Sequence, residues 1–181
     1  MNIFALDSDP FISGQQNCDI HCNRMFLEMV QCLTNCFPLQ ILPEMPLTKD
    51  GNIRKYSHFN HPSAKWIREN QSNLQWTINY TAQLEFERLY RGMKPHFSSA
   101  AFAWIVDNTH QMSYIPEGEL TPIPPAISAN KNCRQISNFS EKHFTEQYRL
   151  YYIFDKPFAR WSVRDTPEWF IEMKENYNMP K

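Results

Sequence analysis

The chain of 181 residues lacks several things, and each absence narrows its class. It has no run of about 20 apolar residues, so no membrane span is expected. It has no excess of charge: the formal net charge is −1. A global basic field for gripping a duplex is therefore missing, and any nucleic-acid contact must come from a local patch. The opening Met1-Asn2-Ile3-Phe4-Ala5-Leu6-Asp7 lacks a positive region ahead of its apolar stretch, so no secretory signal is expected. Internal repeats, low-complexity tracts, domain boundaries and cofactor motifs are also missing. Hydrophobic poverty is not among the absences. Apolar residues make up 42% and aromatics 14%, enough to build one core across 1–181 as a single domain.

The 5 cysteines are odd in number. Cys18, Cys22, Cys32 and Cys36 invite a metal reading, but on one helix the two pairs would lie about 21 Å apart, too far to share an ion. Small buried residues on an apolar helix face are the simpler account, and free thiols fit a reducing cytosol. No metal and no cofactor are expected.

Apolar periodicity predicts a mainly α fold: a single compact helical domain with a short N-terminal strand or clamp and a long Pro-rich loop. Asn2–Leu6 is the strand or clamp, and a turn-rich stretch through Gly14 follows it. Cys22, Met25, Phe26, Met29, Val30, Leu33 and Cys36 recur at helical spacing over 18–37, and Pro38 ends that helix. Asp19 reads as its N-cap or as a site residue. Pro62 suits the first turn of a second helix. Residues 74–91 form a central, largely buried helix stopped by Gly92, and 97–106 a short one. Residues 108–139, with Pro116, Pro122, Pro124 and Pro125, read as the loop. Ser140 caps a helix through about Phe154, and 169–177 adds a terminal one.

On the first long helix, His21, Arg24, Glu28, Gln31 and Asn35 fall on one arc beside the apolar face. A solvated face is more often filled with Lys and Glu; this stripe resembles a lining that reads polar groups, with an exposed Arg24–Glu28 pair as the plainer alternative. His58, Asn60 and His61 precede a helix start, where they can cap, pack or meet an anion. Glu87 and Arg91, followed by His96, form either half of a pocket or an ordinary ion pair. In the tail, Tyr148, Tyr151, Tyr152, Phe158 and Trp161 alternate with Arg149, Lys156, Arg160 and Arg164. That pattern suits base stacking and phosphate contact, or the packing of a helix.

The order of these pieces resembles a family of short phage-encoded proteins, most without an assigned function. Its Cys-Asp-x-His…Met-x-x-Glu-x-x-Gln-x-Leu helix matches Cys18, Asp19, His21, Met25, Glu28, Gln31 and Leu33. Its His-x-Asn-His-Pro-Ser-Ala-x-Trp motif matches His58, Asn60, His61, Pro62, Ser63, Ala64 and Trp66. A Glu-x-x-x-Arg…His segment and an aromatic tail match Glu87, Arg91 and His96, then Tyr151 through Phe170. The family often has lysines where this chain has Ile20 and Arg24; arginine cannot form a Schiff base, which argues against a lysine nucleophile on that helix.

A fainter resemblance runs to the small helical pyrimidine-dimer DNA glycosylases, which implies Glu28 as a catalytic carboxylate. Together these imply a phage enzyme acting on DNA bases or nucleotides, by N-glycosidic cleavage or base modification, in the cytoplasm of an infected bacterium. Glu28, His21 and His61 would be catalytic. Arg24, Gln31, His58, Asn60, Arg91, His96, Lys156 and Trp161 would hold substrate. The alternative is a non-catalytic phage protein that binds a nucleotide or a host protein and counters host defence. DNA or a nucleotide is the expected partner, with no membrane; a homo-oligomer is left open.

Overall fold

The computed structural model describes residues 2–179. It is mainly helical, and no β-strand occurs among the described residues. The helices are α1 (Pro10–Gln16), α2 (Asp19–Thr34), α3 (Pro62–Ile67), α4 (Gln71–Tyr90), α5 (Ser99–Asp107), α6 (Phe144–Asp155) and α7 (Glu168–Asn176).

Helix α4 is the central post, with α1 and α2 packed along it. Its buried face mixes Leu74, Tyr80 and Leu84 with Asn73, Thr77 and Thr81. The threonines belong there because each returns its hydroxyl proton to a carbonyl one turn back, Thr77 to Asn73 (2.9 Å) and Thr81 to Thr77 (2.7 Å). Helix α2 supplies Phe26, Met29 and Leu33, all fully buried, and α6 supplies Tyr148 and Tyr152. Side chains of this size each stabilise the fold by about 1.5–3 kcal/mol when fully buried.

Local signals explain the helix ends. Asp9 accepts from the N–H groups of Phe11 and Ile12, and Pro10 occupies the first turn, so the expected turn-rich stretch is instead α1. Helix α4 ends at Arg91 as expected: Gly92 has φ 75°, its N–H reaches Leu89, and the Met93 N–H reaches Arg88. Two cap expectations are corrected. Cys18 sits at the α2 cap position, leaving Asp19 inside the first turn. Ser140 lies in a 3-10 turn, and α6 starts at Phe144 after His143.

Residues 2–6 are buried, and side chains rather than a neighbouring strand bond part of their backbone. The Leu6 N–H donates to Ser13 Oγ (3.0 Å), and Arg149 Nε donates to the Leu6 carbonyl (2.8 Å). Between α5 and α6 the chain is irregular apart from 3-10 turns at Thr109–Met112, Asn132–Gln135 and Phe139–Glu141. It is pinned to α3 and α4 by Trp66 Nε1 and Asn73, both bonded to Thr121, and it buries Ile115, Ile123 and Ile127.

Candidate functional site

The polar stripe of α2 is anchored at both ends and open between them. At the C-terminal end, buried Asn35 exchanges two hydrogen bonds with Ser57, its Nδ2 to the carbonyl (2.8 Å) and its Oδ1 from the N–H (3.0 Å). This docks the loop carrying His58, Asn60 and His61 against the helix. At the N-terminal end His21 is buried, with Phe4 stacked on its ring (centroids 4.1 Å apart) and Phe158 edge-on (5.6 Å). Between them Arg24 is exposed, while Glu28 and Gln31 are half-buried.

Glu28 is held where the chain begins its first buried segment. The Asn2 N–H donates to Glu28 Oε2 (3.1 Å). Asn2 is itself gripped on its side chain: Tyr148 donates to its Oδ1 (2.5 Å), and its Nδ2 donates to the Ala126 carbonyl (3.1 Å). Two long-range elements therefore fix one carboxylate on α2, a precision that a freely solvated glutamate lacks.

Lys156, just past the end of α6, closes the wall beside His21. Its ammonium lies 4.1 Å from the Tyr151 ring centroid, 5.5 Å from Phe4 and 5.8 Å from Phe158. Burial lowers its pKa. Burial also lowers the His21 pKa, to about 3, with Lys156 and Arg24 adding repulsion. His21 is consequently a neutral ring at ordinary pH. Its Nδ1 pairs with the Tyr152 hydroxyl, which donates on to Asn17 Oδ1 (3.1 Å). Asn17 Nδ2 is occupied by the Ser13 carbonyl and the Tyr80 hydroxyl, so the Asn17 oxygen must accept. That chain assigns the proton to Nδ1 and leaves Nε2 as the ring's acceptor. A ring so hard to protonate is a weak base and carries no charged acid form at neutral pH; accepting from or orienting a partner through Nε2 is the chemistry open to it.

Phe4 and His58, at the two ends of the stripe, both have left-handed backbone (φ 50° and 51°). A bulky residue in that region costs about 1–3 kcal/mol, and such strain clusters where a chain must present a side chain at a fixed place.

The other expected residues lie apart or are committed elsewhere. Arg91 is buried, and every N–H of its guanidinium is engaged: with Glu87, Asp19, and the carbonyls of Gln15 and Asn17. Glu87, with 0% exposure, also takes two bonds from Arg164 (3.1 and 2.7 Å) and one from Gln83. This network ties the tail to α1, α2 and α4, so Arg91 has no donor left for a phosphate. Trp161 donates to the Gln16 carbonyl (2.9 Å) and packs on Phe170. His61 Nδ1 accepts from the Ser63 N–H and caps α3, while His58 and Asn60 are exposed. His96 likewise accepts from the Ser98 N–H and meets Phe26 edge-on.

No protein-family model, curated protein or solved structure matches the chain, so the site stands on its own geometry. The thiols are buried and form no disulfide among the described residues, and burial pushes Cys22 and Cys32 up to about 12. Protonated thiols are poor metal ligands, and among the described residues no group of three His, Cys, Asp or Glu side chains gathers as a metal site would need. Nor is any helix there long and apolar enough to cross a membrane.

Sequence reasoning missed Asn2, Phe4, Asn17 and Tyr80 as contributors. Asn17 had a faint signal, an amide just ahead of a helix. Asn2 had none, because its partners lie 26, 124 and 146 positions away.

Proposed function

We propose that the chain is a phage-encoded enzyme that acts on a DNA base or a nucleotide over the α2 stripe, in the cytoplasm of the infected host. The observation that supports it is the Glu28 carboxylate, half-buried and fixed by Asn2, on the stripe that also carries Arg24 and the His21–Lys156 wall. A carboxylate so placed can take or give a proton, or stabilise positive charge developing on a sugar, which is what cleavage of an N-glycosidic bond requires. Arg24 and Lys156 are the cations nearest the stripe for a phosphate, and the exposed ring of Phe158 suits stacking. With His21 neutral, proton transfer falls to Glu28 and water.

The test is incubation of the protein with modified and unmodified DNA and a panel of nucleotides, followed by mass spectrometry of all products. A released or altered base is the expected result, with Glu28→Gln losing turnover while retaining binding. Unchanged turnover in that variant would remove Glu28 from the mechanism.

The commitment of Arg91 to internal bonds and of His61 to the α3 cap favours one second reading, a non-catalytic nucleotide binder that counters host defence. It predicts ligand recovered bound and chemically intact.

A further inference from the structure

A cleft of about 940 Å³ lies beside the C-terminal half of α2, lined by Leu27 and Gln31 of the helix, by residues 48–55 and by Phe97. Gln31 stands one helical turn beyond Glu28, so the cleft opens next to the stripe. Its size is that of a site for a small organic ligand. Its charge is one-sided: Lys49, Arg54 and Lys55 line it, against Asp50 alone.

Arg54 is the decisive residue. It is 5% exposed, and two internal bonds fix it, from Nε to the Pro46 carbonyl (2.8 Å) and from one terminal nitrogen to the Leu47 carbonyl (3.5 Å). Among the described residues it has no ion pair with a carboxylate. A guanidinium withdrawn from water without a counter-charge is costly, and its remaining N–H groups are donors that an anion would satisfy.

A second cation strengthens the case. Arg88 is 4% exposed, has no ion pair among the described residues, and keeps one terminal nitrogen with no hydrogen-bond partner. The His96 ring feels the charges of both Arg88 and Arg54, and its neighbour Phe97 lines the cleft. Leu27, Ile53 and the half-exposed Phe97, also in the lining, offer apolar surface for a ring.

We propose that this cleft binds a nucleoside phosphate, with the phosphate held by Arg54, Lys49 and Lys55 and the base lodged against Phe97, Leu27 and Ile53. The inference deepens the nucleotide or DNA reading above and rests on it for the class of ligand. It adds a phosphate site distinct from Arg24 and Lys156. A free nucleotide and a strand both carry such a phosphate, and the two sources give different outcomes.

The experiment measures binding of thymidine 5′-monophosphate by calorimetry and of a short fluorescein-labelled single-stranded oligodeoxynucleotide by anisotropy. Arg54→Met removes the central cation. The double variant Lys49→Glu/Lys55→Glu changes only exposed side chains and keeps the test valid if Arg54→Met does not fold. Each is expected to weaken binding by about tenfold or more, the scale of one or more charge-assisted contacts. Binding of the monophosphate that the variants weaken supports a free nucleotide. Binding of the oligonucleotide alone, with a steep loss as salt rises, supports a strand. No binding of either probe by the native chain, or equal affinity in the double variant, overturns the proposal. Because binding is scored without turnover, the Glu28→Gln result fails or upholds the catalytic reading separately.

Discussion

Acid should unfold this protein through His21, and the slope of that loss can be stated in advance. The ring is buried against Phe4, Tyr152 and Phe158, and its pKa falls from the usual 6.5 to about 3. In the unfolded chain the imidazole regains its ordinary value. Above about pH 6.5 it is neutral in both states and adds no pH dependence. Below that, the unfolded state takes up a proton that the folded state refuses. Stability then falls by about 1.4 kcal/mol for each pH unit until the folded-state pKa is reached. Over the whole window the loss is on the order of 5 kcal/mol, a large share of the roughly 5–15 kcal/mol that holds a domain folded.

The assay is urea unfolding at pH steps from 7 to 4, comparing the native chain with His21→Gln. Glutamine can still donate to the Tyr152 hydroxyl but cannot titrate. The variant should be less stable near pH 7 and should lose stability more slowly as pH drops, so that the difference shrinks below about pH 6.5. Other groups, His61 and His96 included, cancel in the comparison. Parallel pH profiles would refute the reasoning, because the burial of a neutral His21 would then contribute nothing.

Other perturbations probe separate links. Arg91→Met takes one of the two cations from Glu87 and the ion pair from Asp19, and should destabilise the fold by about 3–5 kcal/mol by chemical denaturation, whereas a small loss would mean the network is solvated. Asp9→Ala removes the α1 cap and should cost about 1 kcal/mol by the same measurement. The depressed pKa of Lys156 predicts faster acylation than at the exposed Lys49 or Lys55 near neutral pH, read by peptide mass spectrometry; equal rates would place its amine in water. Loss of turnover in Glu28→Gln completes the set.

The helices were legible where their signals are local. The α2 periodicity, the Gly92 stop and the Pro62 start depend on neighbours a few residues away, and the structure has them within a few positions. Helix α1 was missed although Asp9-Pro10 carries a cap and first-turn signal, because the apolar pattern behind it is too short to register. Ser140 misled for the opposite reason: its hydroxyl suits a cap, but the chain turns once more before α6 begins.

At the site, the sequence alone determined that His21, Arg24, Glu28, Gln31 and Asn35 share one arc of a helix, since 3.6 residues per turn permits no other arrangement. It also determined that the tail brings aromatics and cations together. Only the tertiary structure decided which of these groups stay available. It sealed His21 into a neutral ring, tied Asn35 to Ser57, and locked Arg91 to Glu87, while leaving Glu28 fixed by Asn2 and still half-open. It alone buried Arg54 with no carboxylate paired to it among the described residues. The physical reason is that charge state and donor capacity are set by burial and by partners distant in the chain, and neither is encoded in the spacing of nearby residues.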